Sequence, residues 1–362
     1  MSFVYSHPFT GLANGLNTIN AAGGGIGGWV ELGRTTLGSA GTSLSVSSLP
    51  DKRYYMYMWS FIRNTADNDP KMRFNSDTGS NYSFRGSING ASDVTSTSSN
   101  NIDHSVSNVA PFTFGVHYVV NRAANEKLSI GHINGSVASG AATAPSRRER
   151  YGKWANTSNA VDEIDVYTAA NNINTGSELV VLGWDPDDTH TNNFWEELAS
   201  VSGSDDVGDD FDTGTFTAKK YLWVQGWFKS DQATSTVDHR LRVGNSTIDT
   251  GNNYSYRNSV SGGTDSTGTS ASFAARLEEG SMNANDEACF FNAFIVNNAS
   301  NEKLIIAHEI DTLTGTGAAN APRRVEHVAK WANTSNQIDI IGFNNGGTGN
   351  ITYREVKVWG AD

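Results

Sequence analysis

A run of seven residues, Lys-Trp-Ala-Asn-Thr-Ser-Asn, occurs twice in this chain of 362 residues, at 153–159 and again at 330–336. The chance recurrence of seven residues in order is negligible. Similarity between distant parts of one chain is the signature of repeated structural units. The chain is therefore an internal duplication, and we expect both copies to adopt one fold.

Weaker matches extend the duplication over most of the chain. Trp29 matches Trp195, and the offset between the copies grows from 166 residues there to 177 residues at Trp154 and Trp331. The remaining matches keep the same order: 81–85 with 253–257, 125–128 with 301–304, Pro145 and Glu149 with Pro322 and Glu326, and 178–183 with 355–360. The insertions fall in Gly-, Ser- and Asn-rich stretches, which are typical of loops.

These matches predict the domain organisation. We expect an N-terminal arm with a Gly-rich hinge at 1–28, a first domain at 29–184, a linker at 185–194 and a second domain at 195–362. Domains of this length are large enough to bury a core. The arm has no counterpart in the second copy, so we expect it to have a role of its own.

Alternation of apolar and polar residues predicts an all-β fold. Tyr55, Tyr57, Trp59 and Phe61 occupy alternate positions, and we match them to Tyr221, Trp223, Gln225 and Trp227. Further strands are predicted at 71–75, 82–87, 112–120, 127–133, 147–153, 164–168, 179–184, 289–296 and 303–308. Eight or so strands per copy and no long helix indicate tandem jelly-roll-like β-sandwiches, with concanavalin-like sandwiches as the alternative.

Charge and apolar content exclude several classes of partner. The net charge of −12 disfavours nucleic acid, because phosphate binding needs clustered Lys and Arg. No apolar stretch of membrane-spanning length occurs, and the N-terminus lacks the pattern of a signal peptide. We expect a protein made in a cytoplasm, without nucleic acid or membrane as a partner.

The single cysteine, Cys289, excludes an internal disulfide, and we expect it to be buried.

No catalytic motif is recognisable, so we predict a protein that is not an enzyme and holds no cofactor. His132 and His308 are the only histidines that recur in both copies, and we interpret them as structural. A calcium site is the one metal hypothesis. It would lie at Asp185, Asp187 and Asp188 or in the loop from Asp205 to Asp212. We favour solvated turns for both acidic segments.

The repeated loop allows two interpretations. Trp154 and Trp331, with Asn156 and Asn333, could form aromatic and amide platforms for glycans. We favour a framework role, shared with Trp29 and Trp195, in which the tryptophans cap the core and the asparagines form Asx turns. The basic residues Arg147, Arg323 and Arg324 are either ordinary strand starts or contacts for an acidic partner.

The stretch 153–183 combines a Lys-Trp-Ala-Asn loop, an Ile-Asp strand and a closing Gly-Ser-Glu-Leu-Val-Val-Leu-Gly segment. In this respect it resembles a recurrent β-domain of tailed-phage virion proteins, especially those infecting marine bacteria. The second copy departs from the pattern, because Ile351-Thr352-Tyr353-Arg354 replaces the Gly-Ser lead-in. The resemblance implies a virion setting, as a capsid decoration, tail or fibre protein, and a homo-oligomer, with a trimer favoured.

The leading hypothesis is a decoration or cement protein on the capsid exterior. Its arm would bind the major capsid protein or another virion protein through its spaced apolar residues, Phe3, Val4, Tyr5, Phe9 and Leu12. The alternative is a glycan-binding tail or head-fibre adhesin. An enzyme acting on polysaccharide is the third hypothesis, without a carboxylate pair that stands out.

Overall fold

Every secondary-structure element in the described residues is a β-strand. The computed structural model describes residues 28–63, 69–105, 111–185, 193–204, 210–230, 236–281, 288–312, 321–346 and 351–362. The predicted arm residues Phe3, Val4, Tyr5, Phe9 and Leu12 lie outside this part of the chain, as does most of the predicted linker. A search of the described residues for a helix long and apolar enough to span a membrane finds none.

The first half contains twelve described strands in two antiparallel sheets. They are β1 (Val30–Thr36), β2 (Ser43–Ser47), β3 (Tyr54–Ile62), β4 (Pro70–Phe74), β5 (Tyr82–Ile88), β6 (Val94–Ser99), β7 (Ile102–Asp103), β8 (Phe112–Val120), β9 (Lys127–Gly135), β10 (Ser146–Trp154), β11 (Glu163–Thr168) and β12 (Glu178–Trp184). An eight-stranded sheet has the order β1-β12-β3-β8-β9-β10-β5-β6, and a four-stranded sheet has the order β2-β11-β4-β7.

The second half repeats this plan. Its strands are β13 (Glu196–Gly203), β14 (Asp210–Asp212), β15 (Tyr221–Ser230), β16 (Thr236–Asn245), β17 (Thr247–Ile248), β18 (Tyr254–Val260), β19 (Ser266–Ala271), β20 (Ala275–Ser281), β21 (Ala288–Val296), β22 (Lys303–Asp311), β23 (Arg323–Trp331), β24 (Ile340–Asn345) and β25 (Ile351–Ala361). The large sheet runs β13-β25-β15-β21-β22-β23-β18-β19, and β20 joins the smaller sheet β14-β24-β16-β17. The tandem β-sandwich predicted from the duplication is confirmed.

The structure has more strands than the alternation predicts. The additional strands are short or polar, so they lack the alternating apolar pattern. The Ser- and Thr-rich edge strands β6 and β19 are mostly exposed on both faces, so they carry no apolar alternation. The predicted β8–β9 hairpin is present, and its counterpart joins β21 to β22. Cys289 is fully buried in the core of the second half.

The register of the pairing corrects one sequence match. Tyr54 pairs with Val120 in the first half, and Tyr221 pairs with Val296 in the second. Tyr221 is therefore equivalent to Tyr54 and not to Tyr55. A shift of one residue moves every side chain of a strand to the other face. Tyr55 and its alternates face the inner core, whereas Tyr221 lies on the outer face of its sheet.

Bulky and small residues have exchanged places between the two cores. Trp59 on β3 lies opposite Gly115, whereas the equivalent pair in the second half is Gly226 opposite Phe291. A Cβ atom at Gly115 would lie 2.4 Å from Trp59 Nε1, and one at Gly226 would lie 2.3 Å from Phe291 Cε1. Each core therefore accommodates one large ring per cross-strand pair, carried by opposite strands.

Exchanging this pair in the first half gives a stability test. We expect Gly115→Phe to destabilise by about 3 kcal/mol through overpacking, and Trp59→Gly by about 3–5 kcal/mol through the cavity it leaves. The double variant should recover at least about 2 kcal/mol relative to the sum. Urea unfolding of the four proteins measures this coupling. Additive effects would show that the two positions do not share one space.

A second difference places a histidine ring in the core of the first half where the second half has alanine. His117 lies opposite Gly131, and its ring stacks on Tyr57 at 4.7 Å and on His104 at 4.3 Å between centroids. The equivalent pair in the second half is Ala293 opposite Ala307. Burial lowers the pKa of His117 well below its usual value, with further repulsion from His104 and Arg150.

The buried histidines predict acid sensitivity of the first half. His117 stays neutral in the folded state but takes up a proton near pH 6.5 when unfolded, so its contribution is intact above pH 6.5 and is lost as the pH falls below it. We expect His117→Ala with Gly131→Ala, the pair of the second half, to reduce the pH dependence of unfolding by up to about 1.4 kcal/mol per pH unit. Urea unfolding between about pH 4 and pH 8 measures it, and an unchanged slope would contradict this assignment.

The repeated loop closes the same end of each sandwich. The indole N–H of Trp154 donates to Asp77 Oδ2 at 2.7 Å, and that of Trp331 donates to Asp249 Oδ2 at 2.7 Å. Lys127 lies over the Trp154 ring at 5.6 Å and donates to backbone carbonyls of two loops. Lys303 does the same over Trp331, with the ring at 5.7 Å.

Candidate functional site

The outer faces of the two large sheets pack against each other. This contact forms a third apolar core, separate from the cores inside the two sandwiches. Its fully or nearly buried members are Met56, Met58, Phe112, Phe114, Val116, Val180, Leu182, Trp195, Tyr221, Phe294, Val296, Leu304, Ile306, Val328 and Ala361. Each large sheet is therefore covered by a small sheet on one side and by the other half on part of the other side.

Polar contacts fix the position of this packing. Glu178 accepts a hydrogen bond from Tyr221 at 2.7 Å and pairs with Lys220 at 2.7 Å. Burial raises the pKa of the Tyr221 hydroxyl well above its usual value, and the Glu178 charge adds to this, so Tyr221 donates to a carboxylate. Arg147 pairs with Asp265 at 2.7 Å and with Glu326 at 2.8 Å.

A segment of the first half, 136–145, lies along the outer face of the second large sheet, and we call it the plug. Its sequence is Ser-Val-Ala-Ser-Gly-Ala-Ala-Thr-Ala-Pro. The contacts use its backbone: Lys330 donates to the carbonyls of Ser136 and Ala138, and Ser255 donates to that of Thr143 at 2.9 Å. Small side chains let the plug backbone approach this closely.

Further contacts extend the length of the plug. Arg257 Nε donates to the Pro145 carbonyl at 2.9 Å, and the Ser270 amide donates to the Ala141 carbonyl at 2.7 Å. The Gly140 amide donates to Glu302, which also pairs with Lys330 at 3.7 Å. We call the surface that the first half covers here the closed groove. Its side chains Ser255, Arg257 and Lys330 bind the plug backbone, and Leu304, Ile306 and Val328 belong to the core between the halves.

The first half carries an equivalent surface, which is partly exposed. Lys153 pairs across the strands with Leu128 and Ser83, as Lys330 does with Leu304 and Ser255. By the same register, Ile130, Tyr151 and Arg85 are equivalent to Ile306, Val328 and Arg257. We call this surface the open groove, and it is formed by Ser83, Arg85, Leu128, Ile130, Tyr151 and Lys153.

Exposure separates the two grooves. Leu304, Ile306 and Val328 are at most 2% exposed, whereas Leu128, Ile130 and Tyr151 are 52%, 48% and 45% exposed. The open groove has a volume of about 560 Å³ and is further lined by the hydroxyls of β6. Adjacent exposed apolar side chains of this kind mark interaction surfaces.

The Lys–Glu pair beside each groove shows the same difference. Lys330 is fully buried and Glu302 nearly so, and burial lowers the pKa of Lys330 and raises that of Glu302. The equivalent pair, Lys153 and Glu126, is 3.0 Å apart, with both side chains more than 40% exposed. The open groove thus keeps both charged groups that hold the plug backbone in the closed groove.

The contact between the halves is asymmetric. Asn134 of the first half donates to the carbonyls of Ile305 at 2.9 Å and Ala329 at 2.7 Å in the second. Its equivalent by register is Ile310, which is 46% exposed.

His132 and His308, interpreted as structural from the sequence, meet between the halves with ring centroids 4.1 Å apart. Burial lowers the pKa of His308 to about 4.

The residues singled out in the repeated loop are buried or make hydrogen bonds within the chain. Trp154 and Trp331 are buried, and Trp195 lies in the core between the halves. Asn156 Oδ1 accepts from the Ser158 and Asn159 amides at 2.8 Å, which is an Asx turn, and Asn333 does the same in the second copy. Trp29 lies against Tyr118, with ring centroids 6.3 Å apart.

The predicted arginines are paired within the chain. Arg147 is 5% exposed and its acidic partners include two residues of the second half. Arg323 pairs with Asp311 at 2.7 Å, and Arg324, which is largely exposed, pairs with Glu326. The structure brings none of these three arginines to the open groove.

The acidic segments are described only in part. Asp187, Asp188 and 205–209 lie outside the described residues. Asp185 accepts from the Arg53 amide, Asp210 accepts from Asn344, and Asp212 accepts from the Gly214 amide. Within the described ranges, no three His, Cys, Asp or Glu side chains are grouped as a metal site would need.

No family model matches this sequence, and no curated protein matches it. Among solved structures, domains LG4-5 of the mouse laminin alpha1 chain align with 91% of this chain and 89% of theirs, at 9% identity and a TM-score of 0.20. The structure of infectious bursal disease virus, Gx strain, aligns with 94% of this chain and 84% of its own, at 9% identity and a TM-score of 0.15. Similarities this low carry no argument about fold or function.

The open groove was not among the residues singled out from the sequence, although a signal was present. In β9, Leu128 and Ile130 alternate with Ser129 and Gly131, so the larger apolar side chains point away from the sandwich core. Apolar residues on the outer face of a strand indicate a covered surface. The same alternation in β22, with Leu304 and Ile306, marks the face that the first half covers.

The two equivalent lysines provide a matched pair of variants. We expect Lys330→Met to destabilise by about 3 kcal/mol, because it leaves Glu302 buried beside two unsatisfied plug carbonyls. Lys153→Met, at the exposed equivalent, should change stability by less than about 1 kcal/mol. Guanidinium unfolding of both variants measures the difference. Equal effects would contradict the assignment of Lys330 to the contact between the halves.

Proposed function

We propose that this protein is a structural protein of a phage particle, a decoration or cement protein of the capsid exterior that acts through protein–protein contacts. The observation that carries the proposal is the open groove, which repeats the residues of a surface that binds a backbone segment elsewhere in the chain. The resemblance of 153–183 to tailed-phage virion domains supports the setting.

Attachment would use two contacts of different kinds. The arm at 1–28 supplies apolar residues on a Gly-rich segment that can add to a neighbouring shell protein, such as the major capsid protein. The open groove supplies a second contact with a neighbouring subunit. On a symmetric particle, many weak contacts combine into firm attachment.

The geometry favours this function over the two others. Trp154 and Trp331 are buried, so they offer no exposed platform for stacking on a sugar ring. His104 and His117, which have strongly lowered pKa values, are enclosed in the core and out of reach of a polymer substrate. A glycan-binding adhesin and a polysaccharide-degrading enzyme therefore receive no support from these residues.

The arm can be tested by deletion. We expect removal of residues 1–20 to abolish binding to particles while the thermal unfolding of the two sandwiches stays unchanged. Co-sedimentation with particles that lack the protein measures binding, and the full-length chain is the control. Full occupancy by the truncated protein would overturn the role of the arm. A copy number of a dozen or fewer per particle would move the proposal from decoration to a tail or fibre.

A further inference from the structure

We propose that copies of this chain associate by repeating the sheet-to-sheet contact that joins its two halves, so that the large sheet of the second half of one copy packs on the large sheet of the first half of another. The inference deepens the proposed function, since it rests on the open groove being a protein-docking surface and names the surface that docks there. Both surfaces lie on strands that the structure describes.

The contact within the chain is made by two different surfaces. The first half contributes residues of β3, β8 and β12, and the second half contributes residues of β15, β21, β22 and β23 together with Trp195 and Ala361. Because the halves are duplicates, each of them has both kinds of surface. Within the described chain, one surface of each kind lies outside this contact. We call them the receiving face, on the first half, and the docking face, on the second half.

The receiving face is apolar at every position that the second half buries in the existing contact. Leu128, Ile130 and Tyr151 of the open groove belong to it. By the strand register, its other members are Trp29, Tyr54, Tyr118, Val120 and Trp184. All eight are partly or largely exposed, whereas their equivalents in the second half are at most 6% exposed. An exposed apolar surface of this extent is typical of an interaction site.

The docking face carries the equivalents of the first-half residues that the contact buries. Its members include Trp223, Gln225, Asn292, Lys357 and Trp359, which are all partly exposed. Trp223 and Trp359 form an aromatic pair with ring centroids 5.0 Å apart. Gln225, Asn292 and Lys357 stand where the first half has Met or Val, so this face is more polar than its counterpart. We therefore expect association between copies to be weaker than the contact between halves that one chain links.

The hydrogen bond that aligns the halves has an equivalent between copies. Within the chain, Tyr221 of the second half donates to Glu178 of the first half. The equivalents by register are Tyr54, on the receiving face, and Glu355, on the docking face. The donor and the acceptor are both kept, and each is on the half that the proposed contact requires.

An ion pair between the halves has an equivalent as well. Arg147 of the first half pairs with Asp265 of the second half, and the equivalent residues are Arg324 and Asp93. Their side chains are 56% and 47% exposed, and each forms an ion pair within its own half. Ion pairs at the surface contribute little and can be exchanged. Packing of the docking face on the receiving face would bring Arg324 of one copy to Asp93 of the next.

The histidine pair between the halves indicates what kind of assembly results. His132 and His308 are equivalent by register, and their ring centroids are only 4.1 Å apart. The operation that superposes one half on the other therefore moves this point very little. It is a rotation about an axis near the two rings, with little translation along that axis. A repeated rotation without translation produces a closed ring of copies and no filament. A ring of three would agree with the trimer that the sequence resemblance implies.

The experiment uses two full-length variants that each disable one face. Ile130→Asp places a charge on the receiving face. Asn292→Asp places a charge on the docking face and keeps the oxygen that accepts from Trp223. Ser47→Asp adds the same charge at an exposed position on the small sheet of the first half and is the matched control. Sedimentation velocity over about a hundredfold range of concentration measures the masses.

We expect the unaltered chain and the control to form a species of fixed mass, larger than a monomer, as their concentration rises. Each of the two variants should associate at least about tenfold more weakly, because an unpaired charge would be buried in the contact. An equimolar mixture of the two should form a 1:1 dimer and nothing larger, because one variant retains a docking face and the other a receiving face.

A charge exchange tests the alignment of the two faces. Arg324→Asp and Asp93→Arg should each weaken association by about threefold, because either change places like charges opposite each other between copies. Both changes in one chain should restore the association of the unaltered chain. A double variant that associates as weakly as the single variants would contradict the alignment.

The inference fails if the unaltered chain stays monomeric at all concentrations, if Ile130→Asp or Asn292→Asp associates normally, or if their mixture forms no dimer. Masses that rise without limit would contradict the closed ring. Binding of a monomeric chain to particles would overturn self-association and leave the proposed function standing. Self-association without binding to particles would support the inference and count against the role in a phage particle.

Discussion

The packing of the two large sheets through their outer faces is the contact on which the arrangement of this protein depends. A β-sandwich normally buries one face of each sheet and exposes the other. Here the outer faces of the two large sheets carry Met56, Phe114, Tyr221 and Ile306, which are too apolar to remain in water. Burying them joins two sandwiches into a stack of four sheets and decides where the plug, the histidine pair and both grooves lie.

This contact also explains why two copies of one structure have different surfaces. The two halves use opposite ends of equivalent faces, so a residue and its counterpart meet different surroundings. Lys330 and Glu302 form a buried pair under the plug, whereas Lys153 and Glu126 form an exposed one. A buried ion pair contributes little by itself, but it penalises any arrangement that separates the charges. The polar contacts therefore specify the alignment, and the apolar core supplies the stability.

Inside the sandwiches, the duplication has been maintained by paired changes. The framework around Trp154 and Trp331 keeps the same hydrogen bonds and the same lysine over the ring in both copies. In the middle of the large sheets, by contrast, the large ring of a cross-strand pair lies on one strand in the first half and on the other strand in the second half. Close packing makes such positions depend on each other, so a change at one is retained only with a change at its neighbour. The exposed apolar residues of the open groove are different from these core pairs. They repeat the covered residues of the closed groove, although no contact within the described part of the chain depends on them.

The sequence by itself determined the duplication, the all-β class and most strands of the large sheets, because these follow from repeated residues and local alternation. It also predicted the Asx turns of Asn156 and Asn333, which depend on residues two and three positions away. Only the tertiary structure decided which face of each strand is inside. Both faces of β3 and β15 are apolar, so alternation matched Tyr221 to Tyr55 and missed the shift of one residue. The open groove likewise depends on which half covers the other. That choice is made by contacts between residues distant in sequence, 43 positions apart for Glu178 and Tyr221 and 195 for Asn134 and Ala329, and no local pattern records it.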